Sequence, residues 1–174
     1  LNRNCIGIDI NAKALDRCRE KCDFSCPNMG KIYLKQGDAR KLHFIQDEAI
    51  DFICTHPPYA NIIQYSQDIE QDLSRLEVEL FLEEMKKVVC ECYRVLKKGK
   101  FCAILMGDIR KKGYVIPLSF FVMDLFLRQG FSLKEMIIKE QHNCKATGFW
   151  KTNSVKYNFL LLAHEHLFVF HKIS

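Results

Sequence analysis

The sequence has no apolar run long enough to cross a bilayer. The longest, 116–127, is interrupted by Asp124 and falls short of the roughly 20 residues a spanning helix needs. Glycine and proline are scarce, eight and four in 174 residues, which excludes collagen-like and low-complexity chains. The opening Leu-Asn-Arg-Asn-Cys carries no apolar h-region, so no secretory signal is expected. The paired two-residue cysteine spacing of zinc sites is also missing. Cys18, Cys22 and Cys26 recur at helical spacing, but Pro27 and Asn28 follow and no histidine is near, so helix packing is expected and no metal. The cysteines number nine, which is odd, and Cys5, Cys54 and Cys102 sit in apolar runs that read as buried strands. A secreted disulfide framework is therefore excluded, and a reducing cytoplasm is the expected location.

What the chain does contain suits one globular domain, 1–174, with 48% apolar and 27% charged residues. A domain of this size buries about two-thirds of its unfolded surface without metal or disulfide support. Its net charge of +5 is unevenly spread. Residues 47–91 hold eleven acids against three bases, whereas 97–156 hold twelve bases against four acids. The second half either faces a polyanion or carries ordinary surface lysines.

Along the chain, strand and helix patterns alternate. Cys5–Ile10 is a short apolar run ending in an acid, as a buried parallel strand does. Asn11 is placed to cap a helix over 12–22 whose packed face is Ala14, Leu15, Cys18 and Cys22. Strands are expected at 31–38, 50–55, 101–106, 131–139 and 158–171. The clearest helix spans 77–97, with Leu80, Phe81, Met85, Val88, Val89, Cys92, Val95 and Leu96 as its apolar stripe and Lys97-Lys98-Gly99 as its stop. A second runs from Pro117 to about Gln129, ended by Gly130. The polar stretch 60–76 reads as a mobile loop. This order predicts an α/β fold, a sheet with helices on both faces and an antiparallel closing strand.

Ligands of such sheets bind at strand carboxyl ends, where Asp9, Asp38 and His56–Tyr59 all fall. Asp9 suits ribose hydroxyls, or else is a loop acid beside a helix cap. Asp38 suits an adenine amino group, with the same bland alternative. In Thr55-His-Pro-Pro-Tyr59 two prolines remove competing amide donors and turn carbonyls toward the cleft. Tyr59 can then stack on a planar base while the Pro57 carbonyl and His56 accept hydrogens from its exocyclic amine; alternatively the loop is rigid and Tyr59 packs on the core.

Together these motifs resemble the S-adenosylmethionine-dependent adenine-N6/cytosine-N4 DNA amino methyltransferases. Cys5–Asn11 resembles the family's ribose-binding strand end and Gln36–Arg40 its cofactor-adenine segment. Thr55–Tyr59 resembles its Asp/Asn/Ser-Pro-Pro-Tyr tetrad, while 93–100, 106–110 and 164–172 resemble later stretches. The resemblance implies a Rossmann-like methyltransferase sheet and S-adenosylmethionine as cofactor. It assigns Asp9, Ile10, Asp38 and Ala39 to the cofactor, and His56, Pro57, Pro58 and Tyr59 to catalysis on a flipped-out base of DNA. RNA is the alternative substrate, and a non-catalytic nucleic-acid-binding half-domain is a third reading.

Two departures stand out. Position 56 is His, an acceptor only as the neutral imidazole and in the right tautomer. No glycine-rich loop resembling the family's is present; the resemblance implies that its strand lies mid-sheet, between those ending at Asp9 and His56, supplied by an N-terminal segment or a partner. For nucleic acid, Arg110, Lys111, Lys112, Lys145 and Lys151 bracket Phe149 and Trp150 in an expected cationic, aromatic loop, or the tryptophan simply anchors a hairpin. His142–Lys145 adds candidate polar contacts, while His164 and His166 read as structural.

Overall fold

The computed structural model describes residues 2–62, 65–66, 68–141 and 147–173. Strand β1 (Cys5–Asp9) is followed by α1 (Ala12–Lys21), β2 (Ile32–Gln36) and β3 (Ile50–Thr55). Helix α2 (Val78–Val95) runs directly into β4 (Leu96–Met106), and a hairpin of β5 (Ile109–Lys111) and β6 (Tyr114–Ile116) precedes α3 (Leu118–Gln129). Strand β7 (Ser132–Glu140), helix α4 (Thr147–Lys156) and strand β8 (His164–Lys172) complete the order.

Beside the hairpin, two sheets result. β1 and β2 pair in parallel, and separately β3-β4-β8-β7 form a mixed sheet in which β3 and β4 are parallel and β8 runs antiparallel to both neighbours. Among the described residues no hydrogen-bonded ladder joins β1 to β3. The 37–49 segment bridges them: Leu42 and Ile45 are buried with Val95, and Ile8 of β1 packs there with Ile50 and Ile53 of β3. Arg94 clamps that bridge, donating to the carbonyls of Leu42 and Ile45 (both 2.9 Å) and pairing with Glu91 and Asp47.

The core lies between the four-stranded sheet and helices α2 and α3. Val78, Phe81, Met85, Val88, Val89, Cys92 and Val95 form the buried stripe of α2, at the three- and four-residue spacing of one helix face. Leu80 stands about a third of a turn away and is exposed. Phe126 and Phe170 stack with centroids 4.4 Å apart, and Phe131 meets them from the start of β7. Gly130 closes α3 in the left-handed conformation at φ 108°, where a side chain would be strained.

Several expectations change. Of the three strand cysteines, Cys5 and Cys54 are exposed and only Cys102 is buried, because a strand side chain is buried by what packs on its face and the faces carrying Cys5 and Cys54 are left open among the described residues. In α1 only Leu15 is buried, Cys18 being exposed. Lys97-Lys98-Gly99 is not a helix stop but a bulge inside β4: Ile50 and Phe52 oppose Leu96 and Phe101, and Gly99 takes φ 70°. Asn158–Ala163 lies outside β8, with Asn158 itself left-handed. The 60–76 stretch, read as a loop, contains 3₁₀ turns at Ala60–Ile62 and Leu73–Arg75. Asp72 caps the second turn and accepts from Ser66, while the Ser74 hydroxyl accepts from the Tyr65 amide. On the four-stranded sheet the face away from α2 and α3 is only partly covered among the described residues, with Phe52 57% exposed.

Candidate functional site

β3 delivers the site. Its β-branched and aromatic run pairs with β4, and Pro57-Pro58 then ends the ladder, since proline has no amide to contribute. The turn after Tyr59 is forced: Ala60 is fully buried at φ 49°, a left-handed conformation that costs a non-glycine residue about 1–2 kcal/mol. That local strain is held by packing of Ala60 and Tyr59 on the main core.

Tyr59 is half-buried and His56 is exposed. The Tyr59 hydroxyl donates to Glu165 Oε1 at 2.6 Å, and His56 Nε2 lies 2.7 Å from the same hydroxyl oxygen. Glu165 sits in β8 directly opposite Lys139 of β7, whose Nζ donates to its other oxygen at 2.5 Å. Burial opposes ionisation of Glu165, but Lys139 and Tyr59 donate to it and hold it below the usual carboxylate range. Burial and the Glu165 carboxylate push the Tyr59 phenol far above its ordinary value, so it stays protonated. Gly107, just past β4, makes room for the ring: a Cβ there would lie 2.7 Å from Tyr59 Cε2.

Of the two acids, Asp9 stands at a strand end as expected, whereas β2 stops at Gln36, short of Asp38. Asp9 ends β1, with Oδ1 accepting from the Asn11 amide at 2.8 Å while Asn11 caps α1. Ile10 follows it, half-buried. Asp38 lies two residues past β2, and its oxygens are shared with Arg40 through the backbone amide, Nε and one terminal nitrogen at 2.7–2.9 Å. Burial opposes the Asp38 charge, yet Arg40 outweighs it and keeps the carboxyl ionised below its ordinary value. Arg40 reaches on to Glu84 of α2 and to the Gln71 carbonyl, so the Asp38–Ala39 loop is tied to the segment that follows the tetrad.

The basic candidates fall into one neighbourhood with a changed local structure. Lys112 and Gly113 form the tip of the β5–β6 hairpin, both with positive φ as a type I′ turn requires. Arg110 donates to the Gly113 and Leu160 carbonyls (both 2.9 Å) and lies over the Phe159 ring, so much of its guanidinium serves the fold. Lys111 is paired with Glu77. Phe149, Trp150 and Lys151 are exposed on a helix, α4, rather than a loop, and Trp150 meets Phe159 edge-on. Lys145, with the rest of the 142–146 stretch, lies outside the described residues.

Glu165, Lys139 and Gly107 escaped the sequence reading. The available signal was the alternation of 164–172, which puts Glu165 on a face with Leu167 and Val169 where a solvent-facing acid is unexpected. A second polar set, Asp108–Ser119–His166, is structural: Asp108 accepts from the Ser119 amide and hydroxyl at the start of α3, with His166 Nδ1 3.1 Å from that hydroxyl. Among the described residues no group of three or more His, Cys, Asp or Glu could hold a metal, and no helix is long and apolar enough to cross a membrane.

The family model described as DNA methylase matches residues 50–173. The Type II beta methyltransferase M.BslI of Bacillus sp. (strain NEB-606) is 28% identical over 158 residues, covering 82% of this chain and 16% of that protein. Among solved structures, the cytosine-N4-specific PvuII DNA methyltransferase aligns over 78% of this chain and 47% of its own, at a TM-score of 0.59 and 16% identity. A Thermus thermophilus protein crystallised with S-adenosyl-L-methionine aligns over 79% of this chain and 54% of its own, at a TM-score of 0.57 and 22% identity. These likenesses show the Rossmann-like methyltransferase fold. The chain spans only part of the length of each relative.

Proposed function

The chain belongs to the DNA methylase family, and from that premise we propose that it is the base-binding part of a domain that methylates the exocyclic amine of adenine or cytosine in DNA, with S-adenosylmethionine as donor. The observation that carries the reading is the His56–Tyr59 loop, fixed at a strand end by Glu165 and Gly107, together with Asp9 at the end of β1 and Asp38 two residues past β2. When bound, S-adenosylmethionine supplies an electrophilic methyl group on a sulfonium. Asp9 fits its ribose, since Oδ2 takes no hydrogen bond from the described residues. Ile10 would meet the nucleoside, and Asp38 with Ala39 would hold the adenine end from a loop tied down by Arg40.

The protein's own groups then act on the base. Tyr59 holds the flipped-out base by its face. The Pro57 carbonyl and His56 accept the two amine hydrogens, which turns the nitrogen lone pair toward the methyl group. Pro58 keeps the loop in that shape. No strong base is needed, because the proton can leave after the methyl has moved; placement supplies most of the rate. Lys112 and Lys151, with Phe149 and Trp150, are the described groups best placed to meet backbone and bases, with Arg110 and Lys111 shaping the same surface. A DNA substrate and free thiols fit a cytoplasmic location.

The open edges of β1 and β3, bridged among the described residues through the 37–49 segment, support the reading that a further strand from outside these 174 residues lies between them and completes the methionine end of the pocket. Titrating the 174-residue chain with S-adenosylmethionine by calorimetry tests this: weak or no binding is expected, and tight binding would refute it. Methyl incorporation by the full-length protein tests the activity. Transfer to duplex DNA is expected, and transfer to structured RNA alone would replace DNA by RNA as the substrate.

A further inference from the structure

We infer that Glu165 sets the tautomer of His56, and thereby decides that Nδ1 is the imidazole atom presented to the target amine. The consequence for catalysis rests on the methyl-transfer reading above; the geometry does not. The protons around one hydroxyl decide the matter. Glu165 is 5% exposed and accepts from two donors, Tyr59 and Lys139, one on each oxygen, so it acts purely as an acceptor. A phenol has a single proton, and that of Tyr59 is given to Glu165 across 2.6 Å. What remains on the Tyr59 oxygen is acceptor capacity. The 2.7 Å contact from His56 Nε2 to that oxygen is then a hydrogen bond only if Nε2 carries the proton.

A neutral imidazole protonated at Nε2 has its lone pair on Nδ1. Nδ1 makes no hydrogen bond among the described residues, and the His56 side chain is 53% exposed, so this lone pair is open to a ligand. The opposite tautomer would set an N–H against the amine's own N–H. A carboxylate, amide or hydroxyl at position 56 would accept without such help, whereas an imidazole must be held in one of two forms. Glu165 is thus a positioning residue that acts through Tyr59, and Lys139, opposite it on β7, keeps it charged.

The test is ¹⁵N NMR of histidine-labelled full-length protein at a pH where the imidazole is neutral, with the His56 signal assigned by its loss in His56→Asn. The Nε2–H tautomer is expected. In Glu165→Leu the Tyr59 proton turns to His56 Nε2, and the histidine proton is expected on Nδ1. Should that variant fail to fold, Glu165→Gln keeps the shape of the side chain; with its carbonyl facing Lys139, its amide donates to the Tyr59 oxygen, and the histidine proton is again expected on Nδ1. An Nδ1–H tautomer in the wild type, or an unchanged tautomer in the variants, would overturn the inference. In turnover, Glu165→Leu should lower kcat roughly 10- to 100-fold, the scale of one hydrogen bond to a charged group, with little change in KM for DNA. The loss should shrink in a His56→Asn background, where no tautomer needs holding. An equal loss in both backgrounds would make Glu165 merely structural. Absence of methyl transfer by the wild type would defeat the catalytic reading while leaving the tautomer result standing.

Discussion

Adding one methyl group at Gly107 should dislodge Tyr59 and, with it, the hydrogen bonds that hold the tetrad. An alanine Cβ would lie 2.7 Å from Tyr59 Cε2, 3.2 Å from Cζ and 3.3 Å from Cδ2. Carbon atoms settle at about 3.5–4.0 Å, so the ring must retreat by roughly 1 Å. Its hydroxyl sits 2.6 Å from Glu165 and 2.7 Å from His56, and a retreat of that size along either contact lengthens it to about 3.6–3.7 Å, out of hydrogen-bond range. Gly107 is not in the left-handed region, so alanine adds no backbone strain there and the effect is steric. Loss of a hydrogen bond to a charged, buried carboxylate costs about 1.5–3 kcal/mol. The lower unfolded-state entropy of alanine offsets about 0.4–1 kcal/mol of that. A net loss near 1–2 kcal/mol follows, which at a urea m-value of about 2 kcal/mol/M lowers the midpoint by roughly 0.5–1 M. Urea unfolding of Gly107→Ala beside wild type measures it, and the same substitution in a Tyr59→Leu background should lose most of the penalty. An unchanged or raised midpoint in the single variant would show that Tyr59 is not held against Gly107.

Lys172 is buried, and its ammonium donates to the Tyr93 and Leu96 carbonyls at 2.9 and 2.8 Å. Lys172→Met keeps the length but strands both acceptors, so a loss of about 2–3 kcal/mol and a Tm lower by roughly 5–10 °C are expected by calorimetry; an unchanged Tm would mean that solvent replaces the ammonium. The folded-state pKa of Glu165 lies below its unfolded value, so its contribution is present above the ordinary glutamate range and is lost as pH falls through the depressed value. Glu165→Gln should therefore flatten the acid limb of a stability–pH curve measured by urea midpoints, and superimposable limbs would contradict the pairing with Lys139. Tyr59→Ala in the full-length protein should lower methyl transfer by about 10- to 100-fold, from a stacking contribution of roughly 1–3 kcal/mol; a nearly unchanged rate would remove the stacking role.

Features fixed by local chemistry were legible in the sequence. Asn11 before α1, Gly130 after α3, and prolines after Thr55 mark boundaries by what those residues can and cannot do with their backbones, and all three stand where expected. Features that depend on neighbours were not. The apolar pattern of β1 predicts burial, but burial of a parallel strand requires cover on both faces, and among the described residues β1 is exposed or half-buried throughout. The β5–β6 hairpin carried its signal in Lys112-Gly113, but Arg110-Lys111 precedes that turn and three-residue strands are too short to show an alternation. Helix α4 mixes polar and apolar residues around its circumference, so no stripe announces it. Within the site, the tetrad and the two acids were found as motifs, while Glu165 was missed because it lies 106 positions from the tyrosine it serves and only the β7–β8 pairing brings Lys139 to it.

The most direct test of methyl transfer to a base amine is mass spectrometry of nucleosides from duplex DNA treated with the full-length protein and methyl-deuterated S-adenosylmethionine. Label is expected on the exocyclic nitrogen, as N6-methyldeoxyadenosine or N4-methyldeoxycytidine, and should be lost in His56→Leu. Label on cytosine C5, or none in DNA under conditions where the protein binds both cofactor and duplex, would contradict it.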